Sequence, residues 1–383
     1  MAGSATSKKL KILHCSDIHL DAHVAGMTID KTAERRREIR SAFMSMMEFI
    51  RDREIEYVLI AGDLFDSDHV TNATVELLIR EFNNCEGTHF IIAPGKSDSY
   101  GNNPIYQSGR LPENCHVFTE PTLTKFDFDD DRISIYGWAQ TTEPITVCPL
   151  TDSRVQDGAR INLVCAYANL NAEVGSGDCP ITGRDISDFG ADYYALGGSH
   201  EKTELMKRQG CMYSYCGSLE CTGFDEPGCG GVKLLNIDYD DGELSIDGKH
   251  ATFGRLRFVV EQIDITGVKA NNEITNRISQ LISSKRYGIE TALRVELVGE
   301  VDPRFSVPKK FECDAFGLYF FDIIDKTVPT FGTEHFMRDM TVAGEIYRRL
   351  LPMLKSENEE ERLTAARAFR VGLAALDNRD IDN

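Results

Sequence analysis

The chain has 383 residues, of which 42% are hydrophobic and 27% are charged. These proportions are those of an ordinary soluble protein and exclude wholesale disorder, which requires few apolar residues. The 61 acidic and 42 basic residues give a net charge of −19. The bare chain should therefore be repelled by nucleic acid, unless a local basic patch or a basic partner mediates binding. No apolar run reaches the roughly 18 residues of a transmembrane helix, and the first residues lack the apolar stretch of a secretory signal.

Eleven cysteines in a long chain without a secretory signal predict reduced thiols and a cytoplasmic location. Cys211, Cys216, Cys221 and Cys229 are close in sequence but lack CxxC spacing. A zinc site is the weaker alternative for these four residues. The stronger one is that the thiols fill small spaces in the core.

The first part of the chain alternates short buried strands with amphipathic helices. Strands are predicted at 10–15, 56–61 and 88–93, and helices at 34–53 and 71–82. Such alternation is typical of βαβ units built around a parallel sheet.

Beyond about residue 115 the pattern changes to short strands separated by turn residues. These strands are predicted at 115–118, 124–128, 133–137, 161–165, 193–196 and 232–237. The change in pattern indicates a second, mixed sheet.

The length of the chain favours two or three domains. We predict a main domain at 10–253, a small α+β domain at 254–330 and a C-terminal helical segment at 331–383. In the last segment, Pro352 should kink or end one helix, and Ser356 should open a capping box at the start of the next.

Polar residues follow the buried strands of the first half, where sites form in open α/β sheets. Asp17 and His19 come after the first strand and point the same way if that segment is extended. Asp63 follows the second strand, the sequence PGKSD at 94–98 follows the third, and His200 follows a much later strand. Aspartate and histidine together suit manganese, iron or zinc.

Five motifs have the order and composition of a known family. They are CSDIHLD at 15–21, GDLFDS at 62–67, PENCHVF at 112–118, YYALGGSH at 193–200 and YCGSLECTGFDE at 215–226. With these motifs the chain resembles the calcineurin-like metallophosphoesterases, and more narrowly the SbcD/YhaO group of DNA-repair exonuclease subunits. The resemblance implies a four-layer α/β/β/α sandwich, a small α+β capping domain, and C-terminal helices that dock on an SbcC-like coiled-coil ATPase.

The family pattern holds two metal ions, and the resemblance implies ligands for the first. An aspartate and a histidine after the first strand, the aspartate of the GDxxD motif and the last histidine of a GHxH motif bind this ion. In this sequence those positions are Asp17, His19, Asp63 and His200, and all four residue types are present.

This chain departs from the family at every position that belongs to the second ion alone. Lys96 replaces an asparagine, Gly198 replaces a histidine, and Tyr167 stands where a further histidine is expected. Ser97 replaces the histidine that assists the leaving group, and a serine hydroxyl has no pKa suited to that task. Random change would seldom remove one site and leave the other whole. We therefore expect one divalent metal, manganese before iron or zinc, and no second metal.

Basic residues are sparse against the acidic background. The ammonium group of Lys96 could occupy part of the vacated cationic volume, where it would neutralise Asp63 or hold a phosphate. The alternative, given equal weight, is that Lys96 points to solvent. The arginines at 35, 36, 37 and 40 are expected on a solvated helix face, with phosphate contact as the weaker alternative.

Several other polar residues lie near the motifs. His14, His23, His69 and His89 could be ligands, but surface or hydrogen-bonded histidines are the favoured alternative. Asp98 is expected to fix its own turn rather than bind metal.

Three interpretations of function remain open. The first is a catalytically impaired subunit for DNA processing that acts as scaffold or regulator of an SbcC-like ATPase and contacts DNA through that complex. The second is an active single-metal phosphodiesterase or nuclease on DNA. The third is a metal-free module that binds phosphate or nucleic acid. A homodimer is an open alternative, and no membrane association is expected.

Overall fold

The computed structural model describes residues 8–22, 29–170, 172–173, 175–240, 243–302, 305, 307, 316–330 and 333–377. The chain divides into two compact units, the first ending at Arg257 and the second beginning at Phe258. The division of the C-terminal part into 254–330 and 331–383 stays a prediction. Within the described residues, no helix is both long and apolar enough to cross a membrane.

The first unit contains the strands that were predicted and several more. Its strands are β1 (Lys8–Cys15), β2 (Tyr57–Ile60), β3 (His89–Ile92), β4 (Cys115–Val117), β5 (Thr124–Phe128), β6 (Ile133–Gly137), β7 (Ile161–Tyr167), β8 (Tyr193–Gly197), β9 (Met206–Arg208), β10 (Cys211–Tyr215), β11 (Gly228–Asp240) and β12 (Glu243–Asp264), the last of which continues past Arg257. Its helices are α1 (Ile29–Arg53), α2 (Asn72–Asn83), α3 (Pro104–Gln107) and α4 (Gly183–Phe189), with a 3₁₀ turn at Tyr100–Asn102.

Two sheets organise the first unit. One has the strand order β12-β11-β1-β2-β3-β4, in which β1 to β4 are parallel and β11 is antiparallel to β1. The other has the order β5-β6-β7-β8-β10-β9, with parallel central strands and an antiparallel strand at each edge. The predicted parallel core and the predicted mixed second sheet are both confirmed.

Alternation of side chains along the strands creates the layers. In β2, Val58 and Ile60 face a core shared with α1 and α2, whereas Tyr57 and Leu59 face a core shared with the second sheet. A third apolar core lies between the other face of the second sheet and α4, where Phe189 is buried. The expected α/β/β/α arrangement is therefore confirmed.

The second unit combines strands and helices. It contains β13 (Thr291–Val298), β14 (Glu300–Val301), β15 (Phe320–Asp325), β16 (Val328–Pro329), α5 (Asn271–Lys285), α6 (Thr333–Arg338), α7 (Val342–Leu354) and α8 (Glu359–Leu376). Helix α5 buries Ile274, Ile278 and Ile282 at helical spacing in a core that includes Leu293 and Val295 of β13. An α+β unit with C-terminal helices is thus present.

Two local predictions in the C-terminal helices need refinement. Pro352 lies inside the last turn of α7, which ends two residues later at Leu354. The predicted capping box at Ser356 is wrong, because the side chain of Asn358 accepts the first free N–H groups of α8. Ser356 instead donates its hydroxyl to Glu361.

The ten described cysteines are free thiols of the first unit, and most are buried. Burial raises the pKa of Cys148, Cys179, Cys216 and Cys221 to about 12. Thiols with such pKa values are poor nucleophiles at neutral pH. Their burial matches the prediction that they fill small spaces in the core.

Candidate metal centre

The site lies where the carboxyl ends of β1, β2 and β8 come together. Asp17 and His19 follow β1, Asp63 follows β2, and His200 follows β8. The first two ends are joined by the backbone, because the Asp17 N–H donates to the Gly62 carbonyl at 3.1 Å and the His19 N–H donates to the Asp63 carbonyl at 2.9 Å. Polar residues that are distant in sequence therefore meet at one edge of the fold, as the strand order requires.

Three of these residues have an unusual backbone conformation. Asp17, His19 and Asp63 lie in the left-handed region, with φ of 49°, 50° and 54°. Such a conformation costs a residue with a side chain on the order of 1–3 kcal/mol and is concentrated at functional sites. The two interloop hydrogen bonds hold this conformation and aim the three side chains inward.

The side chains of Asp17, His19 and His200 converge. Each offers one ligand atom, and these atoms lie within 4.8 Å of one another. His200 Nε2 is 3.6 Å from Asp17 Oδ1, and His19 Nε2 is 3.8 Å from Asp63 Oδ2. The structure thus brings together three of the four predicted first-ion residues, with the fourth carboxylate beside His19.

The donor atoms fit a divalent cation. Asp17 Oδ1 and His19 Nε2 are buried, and neither has a hydrogen-bond partner among the described residues. Burying such groups without partners is unfavourable, and a cation would satisfy both. One carboxylate and two imidazoles suit manganese, iron or zinc, so these residues could hold one such ion.

Glu226 supports His200 and was not singled out from the sequence. Its Oε1 lies 2.6 Å from His200 Nδ1, and the same carboxylate accepts the Thr222 hydroxyl at 2.7 Å and the Thr222 N–H at 3.0 Å. The hydrogen bond to Glu226 raises the pKa of His200 to about 9. A carboxylate behind a ligating histidine orients the ring, leaving Nε2 free for a metal. The signal was available, since Glu226 closes the motif at 215–226.

Asp98 fixes the loops on which Asp63 stands. Its buried carboxylate accepts the N–H groups of Gly95 at 2.6 Å, Leu64 at 3.0 Å and Asp63 at 3.1 Å, and the Tyr106 hydroxyl at 2.6 Å. It therefore fixes its own turn, as predicted, and also the neighbouring loop. Burial, with the nearby charge of Asp98, raises the pKa of Asp63 well above its usual range. A cation would relieve this crowding of negative charge.

The ring of Tyr167 packs between the loops that carry Gly62, Gly95 and Gly198. A Cβ placed on Gly62 or Gly198 would lie 2.7 Å from a carbon of its ring, and one placed on Gly95 would lie 2.9 Å away. The ring is thus packed directly against all three glycines. The residue is 9% exposed and terminates β7.

Lys96 and Ser97 lie at the rim of the site. Lys96 Nζ donates to Asp178 Oδ1 at 3.1 Å, and its side chain is 70% exposed. Its ammonium therefore pairs with Asp178 rather than Asp63, which matches the solvent-facing alternative, and a phosphate-binding role stays a prediction. Ser97 contacts Asp63 through its backbone N–H, which donates to Oδ1 at 2.7 Å.

The other candidate histidines are held elsewhere. His14 is buried between the sheets, 2.8 Å from the Tyr193 hydroxyl. His69 lies 3.7 Å from Asp66, and His89 lies 3.1 Å from His116. His23 is outside the described residues.

Comparisons with known proteins identify a family and a relative that this chain resembles. A family model described as calcineurin-like phosphoesterase matches residues 10–202. The chain is 25% identical over 305 residues to the uncharacterized metallophosphoesterase YhaO of Bacillus subtilis (strain 168), covering 76% of this chain and 72% of that protein.

Similar solved structures include TT1561 of Thermus thermophilus, with 9% identity, a TM-score of 0.37, and coverage of 63% of this chain and 99% of that one. A dimetal phosphatase from Danio rerio is also similar, with 9% identity, a TM-score of 0.38, and coverage of 64% and 99%. The family implies dependence on a divalent metal, for which Asp17, His19 and His200 form a suitable site. Because the family match spans more than half of the chain, the protein belongs to the calcineurin-like phosphoesterases.

Proposed function

We propose that this protein is an SbcD/YhaO-like subunit for DNA processing that retains one metal site and is catalytically impaired. In this proposal it acts as a scaffold or regulator of an SbcC-like coiled-coil ATPase and meets DNA through that complex. The observation that carries the proposal is the ring of Tyr167, which fills the space between Gly62, Gly95 and Gly198.

The position of Tyr167 bears on catalysis because the dimetal enzymes need both ions. Two cations about 3.5–4 Å apart stabilise the attacking and leaving oxygens of phosphoryl transfer together. The tyrosine ring packed on Gly198, and the Lys96 ammonium paired with Asp178, support the proposal that no second cation binds here.

The residues of the first site have separate roles in this proposal. Asp17, His19 and His200 would hold one divalent ion, with Asp63 beside it. The ion, when bound, supplies positive charge toward a phosphate oxygen. Ser97 cannot replace the lost histidine as a general acid, a loss that costs on the order of 10²–10⁴ in rate.

The C-terminal helices are the proposed docking surface for the ATPase. Val342 at the start of α7 is 60% exposed, and the preceding Met340 is 93% exposed. On α8, Val371 and Leu376 are 46% and 47% exposed. Exposed apolar side chains on helices are suited to packing against a partner's helices.

The test combines metal analysis with a hydrolysis assay. Purified protein loaded with Mn²⁺ is assayed on single-stranded DNA, double-stranded DNA and a simple phosphodiester, with Asp63→Ala as the matched control. We expect one bound metal per chain and turnover no greater than that of the control. Two bound metals, or turnover that disappears in the control, would overturn the impaired assignment.

A second candidate is an active single-metal phosphodiesterase. It is favoured by the first site, in which Asp17 Oδ1 and His19 Nε2 have no hydrogen-bond partner among the described residues and Glu226 orients His200. Turnover with one bound metal that is lost in Asp63→Ala would select this candidate. DNA binding without any bound metal would instead select the metal-free module.

A further inference from the structure

Two cysteines flank the segment that carries Glu226. Cys221 precedes this segment, is 5% exposed, and lies in the wall of a cavity of about 300 Å³ beside His200. Cys229, in the first part of β11, lines the same cavity and is half-buried. Neither thiol has a role in the candidate metal site, so the presence of both at one cavity needs a separate account.

The backbone brings the two cysteines together on the arms of a hairpin. The Gly231 N–H donates to the Ser218 carbonyl at 3.0 Å, and a Cβ built on Gly230 would lie 2.7 Å from the Cα of Glu220. The arms are therefore antiparallel, and the next residue on each arm is a cysteine. Opposed residues on antiparallel arms have Cα atoms about 4.5–5.5 Å apart, a separation that a disulfide can span.

The thiol of Cys221 has a suitable partner in Cys229. Burial raises the pKa of Cys221 to about 12, and charge on the nearby Cys229 adds to this rise. Cys216 also lines the cavity, but it is fully buried and its Sγ lies 3.1 Å from the Ser16 hydroxyl. Among the described cysteines of the cavity, Cys229 is therefore the one placed to pair with Cys221.

The two thiols differ in exposure, and this difference gives their oxidation an order. Cys229 is half-buried, so a small oxidant in the cavity meets it first, whereas Cys221 needs to reach only Cys229. Lys202 Nζ lies 3.4 Å from the Cys229 carbonyl, which places a positive charge at the cavity. Such a charge favours a thiolate, the form of cysteine that reacts with peroxides.

The backbone of Cys221 is held from behind. Arg35 is fully buried and donates to the Cys221 carbonyl and, at 3.4 Å, to Glu220. Glu220 in turn accepts the Arg255 N–H at 2.8 Å. A bond between the two thiols would therefore displace the loop between them rather than the arm that carries Cys221.

That loop contains the support of a candidate metal ligand. Glu226 Oε1 lies 2.6 Å from His200 Nδ1, and Thr222 donates its hydroxyl and its N–H to the same carboxylate. When the loop moves, Glu226 no longer holds the His200 ring in this orientation. Loss of such support weakens metal binding.

We propose that Cys221 and Cys229 are a redox pair, which a peroxide oxidises to a disulfide that weakens metal binding at His200. The Cys229 thiolate attacks one oxygen of hydrogen peroxide and becomes a sulfenic acid, and the other oxygen leaves as water with the thiol proton. The Cys221 sulfur then displaces the sulfenic hydroxyl, which leaves as water with the Cys221 proton. In total the two thiols lose two hydrogens and two electrons, and the peroxide becomes two water molecules. This regulation requires neither DNA nor a partner.

The first measurement maps the bond. The reduced full chain is treated with hydrogen peroxide in EDTA, alkylated, and cleaved before Asp225, which separates Cys221 from Cys229. We expect the two fragments to stay joined and to separate after dithiothreitol. The matched control is Cys115→Ser, because Cys115 is also half-buried but does not line the cavity, and this variant should form the bond like the parent protein.

Cys221→Ser tests the order of the two steps. Its fragments should separate without dithiothreitol, and dimedone should trap the sulfenic acid on Cys229. In Cys229→Ser, the buried Cys221 should stay reduced under the same treatment.

The second measurement is calorimetric titration with Mn²⁺ after peroxide and EDTA have been removed. The oxidised parent protein should bind Mn²⁺ about tenfold or more weakly than the reduced one, and prior reduction should restore the affinity. Cys221→Ser should bind Mn²⁺ equally before and after peroxide, because it cannot form the bond.

Four results would overturn the inference. One is oxidation of Cys229 without joined fragments, the second is fragments that stay joined in Cys221→Ser, and the third is a disulfide that leaves the Mn²⁺ affinity unchanged. Each of these leaves the proposed function standing, because metal content and hydrolysis are measured on the reduced protein. The fourth, failure of the reduced protein to bind Mn²⁺, would overturn the proposed metal site as well.

Discussion

Tyr167 and Gly198 determine each other's identity. A Cβ built at position 198 would lie 2.7 Å from the nearest carbon of the Tyr167 ring, which is too close for both to be present. Gly198 also has φ of +90°, which disfavours any other residue. The glycine at 198 and the tyrosine at 167 therefore form one packing arrangement, in which neither residue can be changed without affecting the other.

This coupling predicts a difference between two glycine substitutions. Gly210 has φ of +94° and open space around it, so Gly210→Ala should cost only backbone strain, about 1–2 kcal/mol. Gly198→Ala should cost a further 1–3 kcal/mol through overpacking, roughly, as measured by chemical denaturation. Adding Tyr167→Leu should recover much of that difference. Equal costs at the two glycines would contradict the packing described for the ring.

Glu226 should matter for metal affinity although it does not touch the metal. Its hydrogen bond fixes the ring of His200, so Glu226→Gln should weaken Mn²⁺ binding about 10–100-fold in calorimetric titration. The exposed neighbour Glu201 serves as the control, since Glu201→Gln also removes one negative charge near the site. If both variants bind Mn²⁺ equally, the contribution of Glu226 is only its charge.

Single residues were the hardest to predict from the sequence. Arg35 was expected on a solvated face of α1, but it is fully buried and pairs with the buried Glu220 across the unit. Its identity depends on a partner 185 positions away, which helix periodicity does not reveal. The first-ion residues were predictable because they follow strand ends, where the order of elements alone brings them together.

At the scale of elements, Asp98 joins the loops after β2 and β3. It accepts four hydrogen bonds, three from backbone N–H groups and one from Tyr106. Asp98→Ala leaves those buried N–H groups unpaired and should cost at least about 3 kcal/mol in denaturant unfolding. Tyr106→Phe removes one donor and should cost about 1 kcal/mol. Similar costs for the two variants would show that the loops do not depend on the carboxylate.

His14 makes the contact between the two sheets sensitive to acid. Burial lowers its pKa to about 3, and it is hydrogen-bonded to the Tyr193 hydroxyl and the Leu196 carbonyl. The neutral His14 ring stabilises the folded protein. This contribution is complete above pH 6.5, the pKa of an unfolded histidine, and is lost progressively as the pH falls toward 3. Between pH 7 and pH 5 the loss should be about 2 kcal/mol.

His14→Gln is the variant that isolates this effect. Glutamine does not titrate, so the free energy of unfolding should fall less steeply with acid than in the parent protein. The measurement compares how steeply the free energy of unfolding falls with pH in the two proteins. Its absolute value is not informative, because other buried histidines titrate in both proteins. Parallel curves would exclude His14 as a source of acid sensitivity.

Element types were predictable because their periodicity is local, and element ends were less so. The strands at 124–128 and 133–137 have the predicted bounds. The apolar run at 258–263 predicts a further strand, but β12 begins much earlier, at Glu243. The first part of β12 is polar, and apolar and polar residues alternate only weakly along it. It forms a strand because it pairs with β11, which precedes it in sequence. Pairing of this kind is a tertiary effect that a sequence window does not contain.

For the whole molecule, the metal should stabilise one unit and not the other. The candidate ligands lie before Arg257, so chelation should lower the melting temperature of the first unit alone. At a metal concentration about one hundred times the Kd, the stabilisation is about 2.7 kcal/mol, or roughly 5–10 °C. Scanning calorimetry with Mn²⁺ and with EDTA measures this shift, and an equal shift of both units would contradict it.

The overall architecture could be predicted further than the function. Layers follow from alternation within strands, which residues such as Val58 and Leu59 display directly. In the proposed function, turnover depends on the side chain of Tyr167, and the position of its ring follows only from the packed loops around it. The net charge of −19 also limits the function, because it disfavours direct binding of DNA except where local side chains donate hydrogen bonds to it.

The buried cysteines of the first unit can be used to measure its local unfolding. Its ten described thiols run from Cys15 to Cys229, and those whose pKa is raised to about 12 react with alkylating reagents only when water reaches them. The rate at which each thiol is labelled in the native protein therefore measures how often its neighbourhood opens. Peptide mass spectrometry would convert these rates into a map of local stability along both sheets, without any engineered probe.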